Sequence, residues 1–160
     1  MSVRARHLLA CGTALLALGA GATPALAATT SHTRAARDII TLGPRIQFDV
    51  GPMRTHAQQR KTRAVLLANE KACAHAATVV SHAYASPTQV RGRNTWVAGV
   101  RDEVTADREN AFAAKLLLKG HRTAADKKLN EAYTVQMRGD VLIVDGEKQM
   151  GIVRFVSRNS

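Results

Sequence analysis

The residues best suited to acid–base chemistry form one acidic cluster in the middle of the chain: Asp102, Glu103, Asp107 and Glu109. On a helix, Glu103 and Asp107 are four residues apart and share one face. Two carboxyl groups act as acid and base where their environments move their pKa values apart. With His121, they would form a small hydrolase or transferase site. We favour a structural role, in which the acids stabilise a helix N-terminus and Arg101 and Arg108 neutralise them.

The sequence lacks the common catalytic signatures. It contains no Gly-x-Ser-x-Gly, no His-Glu-x-x-His, no phosphate-binding loop and no Gly-x-Gly-x-x-Gly. We therefore expect no cofactor and no enzyme, with Glu103, Asp107 and His121 as the alternative catalytic set.

Two histidines are candidate metal ligands. His75 and His82 are seven residues apart and would share a helix face. Lys71 lies one turn from His75 on the same side, and a third ligand is missing, whereas a zinc site needs three or four. We expect solvated histidines and no metal site; a metal chaperone would require that third ligand.

Positive charge is concentrated in the first half of the chain. Residues 28–101 contain 11 Lys and Arg against three acids, and residues 102–160 contain 10 against nine. Five basic residues crowd the start of a predicted helix: Arg54, His56, Arg60, Lys61 and Arg63. Cations are unfavourable there because the exposed amides carry partial positive charge. Either the helix starts nearer Ala64, or these residues form an anion-binding patch.

The patch predicts a binding protein for an acidic surface. Nucleic acid is a poor candidate because no aromatic residue is interleaved with residues 54–63. An acidic polymer of the cell envelope, an anionic lipid or an acidic protein surface suits an exported protein better. The alternative is that the charge only keeps the protein soluble.

Residues 1–27 predict export. Arg4 and Arg6 precede an apolar stretch, and Pro24-Ala25-Leu26-Ala27 has a small-x-small pattern typical of a cleaved signal peptide. Retention as a membrane anchor and lipidation of Cys11 are the alternatives. Cleavage would leave 133 residues with a net charge of +9 and no membrane-spanning segment, in the periplasm or the medium. Cys73 would then be the sole cysteine, which we expect to be buried.

The domain should occupy residues 38–160, after a flexible leader over residues 28–37. Ile46, Phe48 and Val50 alternate with polar residues, which predicts a strand over 45–50. The stretch 55–84 has no Gly or Pro and predicts a helix, with one apolar stripe formed by Leu66, Cys73, Ala77, Val80 and Tyr84.

Two more helices are predicted. One covers residues 102–119, with Val104, Phe112 and Leu116 inward and Gly120 as its closing residue. Residues 95–101 fit a helix or a strand. The other helix starts at a capping box, Thr123 with Asp126, and ends at Gly139.

The C-terminus predicts a β-hairpin. Val141–Val144 and Ile152–Val156 are apolar runs, and Asp145-Gly146 between them is typical of a tight turn. The expected fold is α+β, with about three helices packed on a small, largely antiparallel sheet.

Overall fold

The computed structural model describes residues 33–46 and 50–152, and within them the protein is helical. Four α-helices follow one another: α1 (Arg34–Leu42), α2 (His56–His82), α3 (Val90–Leu118) and α4 (Arg122–Gln149), with a 3₁₀ turn at Gly43–Arg45. No strand occurs in the described part of the chain. The α+β prediction is therefore wrong, and the fold is a helical bundle.

The predicted hairpin is the largest error. Val141–Val144 and Asp145-Gly146 lie inside α4, which continues to Gln149. Ile143 is buried while Val141 and Val144 are about half exposed, a helical pattern rather than the alternation of a strand. Residues 153–156, the second predicted strand, lie outside the described residues. Of the strand predicted over 45–50, the described residues are not in a strand, since Arg45 closes the 3₁₀ turn and Ile46 follows it. Residues 47–49 lie outside the described residues.

The beginning of the chain also differs from expectation. Residues 34–37, assigned to a flexible leader, form the first turn of α1, and Ala35 and Ala36 are fully buried. Thr33 caps this helix by accepting a hydrogen bond from the Ala36 amide at 3.4 Å. The predicted signal peptide, with Cys11, lies outside the described residues.

Helix α2 confirms the prediction for residues 55–84. Leu66, Cys73, Ala77 and Val80 are all buried, as their helical spacing predicts. Tyr84 is the exception: it follows the end of the helix and is 67 % exposed.

Helix α3 is longer than predicted and lies centrally, packing against both α2 and α4. It absorbs the ambiguous residues 95–101, and Trp96 and Val100 are fully buried. Its inward residues are shifted, because Phe112 is 44 % exposed and Val104 and Leu116 are only partly buried. Gly120, with φ +79°, closes the helix as predicted.

Small residues set the close packing of α3 on α4. They recur every seven residues on both helices, and all are buried: Gly92, Gly99, Ala106 and Ala113 on α3, and Ala125, Ala132, Gly139 and Gly146 on α4. A Cβ on Gly99 would lie 2.7 Å from the Gly139 carbonyl oxygen, and one on Gly146 would lie 2.6 Å from the Trp96 amide nitrogen. Gly139 therefore does not end a helix; it lets two antiparallel backbones approach.

No helix in residues 33–46 and 50–152 is long and apolar enough to cross a membrane.

Candidate functional site

Helix α2 begins at His56, within the basic cluster rather than near Ala64. Its start is fixed by a capping box that the sequence analysis missed, although Thr55-x-x-Gln58 is the usual pattern. The Gln58 amide donates to Thr55 Oγ1 at 3.2 Å, and the Thr55 amide donates to Gln58 Oε1 at 3.1 Å. The capping box that was predicted, Thr123 with Asp126, does not form: α4 starts at Arg122 without a side-chain cap.

The five predicted binding residues surround this helix start, and we call them the basic face: Arg54, His56, Arg60, Lys61 and Arg63. Four are exposed and Arg63 is partly exposed. His56, Arg60 and Arg63 follow one another at helical spacing, so they share one side of α2, which is turned away from its buried stripe. None of the five forms an ion pair with another described residue.

Some cations elsewhere in the bundle are paired with acids. Arg138 forms a bidentate pair with Asp102 at 2.6 and 2.7 Å, and Lys128 contacts Glu109 at 3.0 Å. Helix α2 has a single acid, Glu70, which pairs with Arg108 of α3 at 2.8 Å. The positive charge of the basic face is therefore not neutralised by the described part of the fold.

A cleft of about 390 Å³ adjoins the basic face, between α2 and the segment that precedes it. Two side chains of α2 hold that segment: Gln59 Nε2 donates to the Met53 carbonyl at 3.1 Å, and Thr62 Oγ1 donates to the Pro52 carbonyl at 3.2 Å. Lys61 lines the cleft with Val65 and otherwise mostly apolar atoms. Only one cation of the basic face reaches it.

The acidic cluster does not lie at a helix N-terminus, which was the structural role expected from the sequence. Its members lie in the middle of α3 rather than at a helix start. Glu103 and Asp107 are 6 % and 5 % exposed. Asn69 of α2 donates to Asp107 Oδ2 at 2.6 Å, and Glu103 Oε1 faces Gly139 of α4. The expected neutralising partners are also different, because Arg138, not Arg101, holds Asp102.

Burial controls the protonation of this buried pair. Desolvation, reinforced by the nearby carboxylates of Asp140, Asp107 and Asp102, raises the pKa of Glu103 from 4.5 to about 8. Desolvation also raises the pKa of Asp107 from 3.8 to about 6, against the lowering effect of the Asn69 hydrogen bond. At neutral pH, Glu103 is mostly protonated and Asp107 mostly ionised.

His121 does not join these acids. It is exposed and precedes α4 at the α3–α4 turn. Glu103 lies opposite Gly139, and 18 residues of α4 separate Gly139 from His121, roughly 27 Å of helix. The structure does not bring together the catalytic set of Glu103, Asp107 and His121.

His75 and His82 are exposed on α2. His82 Nδ1 lies 2.9 Å from the Thr78 carbonyl oxygen. Across residues 33–46 and 50–152, no three His, Cys, Asp or Glu side chains are arranged to hold a metal ion.

Cys73 is fully buried and reduced, as expected from its place in the apolar stripe. Burial, with the neighbouring carboxylates of Asp107 and Glu103, raises the pKa of its thiol to about 12. A thiol with so little thiolate at neutral pH is a poor nucleophile.

Comparison with family models, curated proteins and solved structures finds no match to the chain.

Proposed function

We propose that this is an exported binding protein that holds an acidic polymer on the basic face of α2. The observation that carries the proposal is the concentration of five basic residues within ten positions, Arg54, His56, Arg60, Lys61 and Arg63, on a stretch with no acid between residues 50 and 69. None of the five forms an ion pair with a described residue. Unpaired surface cations attract polyanions, and binding releases the counterions that had condensed on the polyanion.

The form of the surface favours a polymer over a lipid bilayer. A helix that lies in a membrane interface presents large apolar residues beside its cations. The side of α2 that carries Arg60 continues mainly through small or polar residues, with Ala64, Lys71 and His75 exposed and Leu67 partly buried among them. This surface offers mainly charge, with Val65, 38 % exposed, beside Lys61 at the edge of the cleft. It extends along a helix of 27 residues, which is about 40 Å long.

The capping box decides which groups would bind. Because Thr55 Oγ1 accepts from the Gln58 amide and Gln58 Oε1 accepts from the Thr55 amide, fewer backbone amides are free at the helix start, and we expect the side chains to make most of the contacts to the anion. Such contacts are governed by the number and spacing of charges, so we expect strong salt dependence and little selectivity for sugar or backbone type.

The test compares two triple variants. Arg60→Gln, Lys61→Gln and Arg63→Gln together should weaken binding to a polyuronate at low salt by on the order of 100-fold, since each cation near an anionic surface contributes about 1 kcal/mol. The matched control is Lys115→Gln, Lys119→Gln and Lys127→Gln, which removes the same charge from exposed positions in α3, α4 and the turn between them. Titration calorimetry at several salt concentrations measures both.

Equal binding by the two variants would mean that net charge alone attracts the polymer, and the proposal would fail. Vesicles containing anionic lipid form a second arm of the experiment. If the wild-type protein binds them more tightly than the polyuronate, the proposed ligand class is wrong.

A further inference from the structure

The outward side of α4 carries an apolar stripe that no described helix covers. Its centre consists of large apolar residues that are all about half exposed, at 56, 48, 56 and 48 %: Tyr133, Met137, Val141 and Val144. This side of α4 faces away from the seven-residue series of small residues that packs on α3. Four large apolar residues on one face of one helix are typical of an interaction surface.

The residues that continue this face at its two ends differ in charge. Asp126 and Asn130 precede Tyr133, and Lys148 follows Val144, all three exposed. Asp126 forms no ion pair with a described residue, and Lys148 has only a long contact of 3.9 Å with Asp145. The face is therefore apolar in the middle, with the carboxylate of Asp126 near one end, one turn after the exposed Arg122, and the ammonium group of Lys148 at the other.

The spacing along this face is the same in both directions. Asp126, Asn130, Tyr133, Met137, Val141, Val144 and Lys148 follow one another at intervals of 4, 3, 4, 4, 3 and 4 residues. Met137 is the centre, with Asp126 and Lys148 each 11 residues away. If two such faces meet in antiparallel orientation, Met137 meets Met137, Tyr133 meets Val141, and Asp126 of each copy meets Lys148 of the other. The remaining pair places the polar Asn130 of each copy against Val144 of the other.

We infer that this face of α4 is a docking surface for a second copy of the same chain, paired antiparallel about a twofold axis at Met137. A twofold contact requires a surface that complements itself. The mirrored spacing supplies the register, the apolar centre supplies the burial, and the opposite charges at the ends select the antiparallel orientation. The surface is separate from the basic face of α2, so the inference is independent of the proposed function.

The first test reverses the charges at the two ends of the α4 stripe, in the protein as it is purified from cells. Asp126→Lys places two cations together at both ends and should weaken dimerisation at least tenfold in sedimentation equilibrium. Adding Lys148→Asp restores opposite charges at both ends and should recover association to within about threefold of wild type. Lys127→Asp, an exposed neighbour off the stripe, is the control and should leave association unchanged. Failure of the double variant to recover would contradict the register.

A cross-linking experiment tests the position of the axis. Cys73 is buried, so Met137→Cys adds the accessible thiol and should give a disulfide-linked dimer under mild oxidation. Tyr133→Cys is the control: its two copies would lie roughly 12 Å apart along the helices, beyond the reach of a disulfide. If the protein stays monomeric up to millimolar concentration, the inference is wrong. The stripe would then be covered by another partner or by the last eight residues of the chain.

Discussion

At the scale of single residues, the unusual feature is a protonated glutamic acid inside the bundle. Glu103 is almost fully buried between α3 and α4, and no hydrogen bond reaches its Oε1. Ionising it there is costly because the low-dielectric interior disfavours charge. The sequence places Glu103 and Asp107 on one face, but it does not show that this face is the core.

Glu103 therefore makes the stability of the protein depend on pH. Its pKa is higher in the folded protein than in the unfolded chain, so folding takes up a proton, and the stabilising effect is fully present below about pH 4.5 and is lost as the pH rises to about 8. Between pH 4 and pH 8, Glu103 should lower the free energy of unfolding of the wild-type protein by up to about 4 kcal/mol. The Glu103→Gln variant should lack this decrease. Urea unfolding at several pH values measures this difference.

The control is Glu131→Gln. Glu131 is an exposed carboxyl of α4 whose pKa is lowered by a hydrogen bond from Lys128. In the Glu131→Gln variant, the decrease in the free energy of unfolding between pH 4 and pH 8 should therefore be no smaller than in wild type. If the Glu103→Gln variant loses as much stability as wild type across this range, Glu103 is ionised in the folded protein.

At the scale of helices, two substitutions distinguish a capping pattern in the sequence from a cap that forms in the structure. Thr55→Ala removes the Oγ1 acceptor at the start of α2 and should lower the free energy of unfolding by about 1 kcal/mol. Thr123→Ala is a matched control, because Thr123 is exposed in the first turn of α4 and caps nothing. Its effect should stay within about 0.5 kcal/mol. Thermal unfolding measures both, and an equal loss in the two variants would contradict the assignment.

Helices α3 and α4 show why a strand was predicted where a helix forms. Local preference favours a strand for Val141–Val144 and a turn for Asp145-Gly146. Gly146, however, is needed where α4 crosses α3 next to Gly92 and Trp96. Continuing the helix buries Ile143 and Gly146 against α3, and this tertiary packing outweighs a local preference of a few tenths of a kcal/mol per residue. The seven-residue spacing of small residues was a signal in the sequence for this helix, and the sequence analysis missed it.

At the scale of the whole molecule, the two proposed surfaces lie on different helices, each packed on α3. A dimer formed through α4 would carry two copies of the basic face. Two linked sites on one polymer bind more tightly than one, because the second contact is intramolecular.

This arrangement predicts that the affinity of the dimer for a polyanion increases with the length of the polymer. Wild-type protein should bind a long polyuronate at least tenfold more tightly, per protein chain, than a short oligomer that fills one basic face. Met137→Glu, which disrupts the apolar centre of the α4 stripe, should remove this advantage and leave affinity for the oligomer unchanged. Calorimetry with both ligands measures it. Reduced oligomer affinity would instead show that the substitution damages the basic face.

The sequence by itself determined helix α2, the burial of Cys73, the closing role of Gly120 and the positions of the basic residues. These features depend on local spacing along one helix, on backbone geometry at one glycine, or on charge alone. The paired approach of Gly99 and Gly139, the burial of Glu103 and the helical course of residues 141–149 were decided by tertiary structure. Each requires a neighbouring helix, because a glycine, a carboxyl group or a run of aliphatic residues has a different lowest-energy state in water than against a packed backbone.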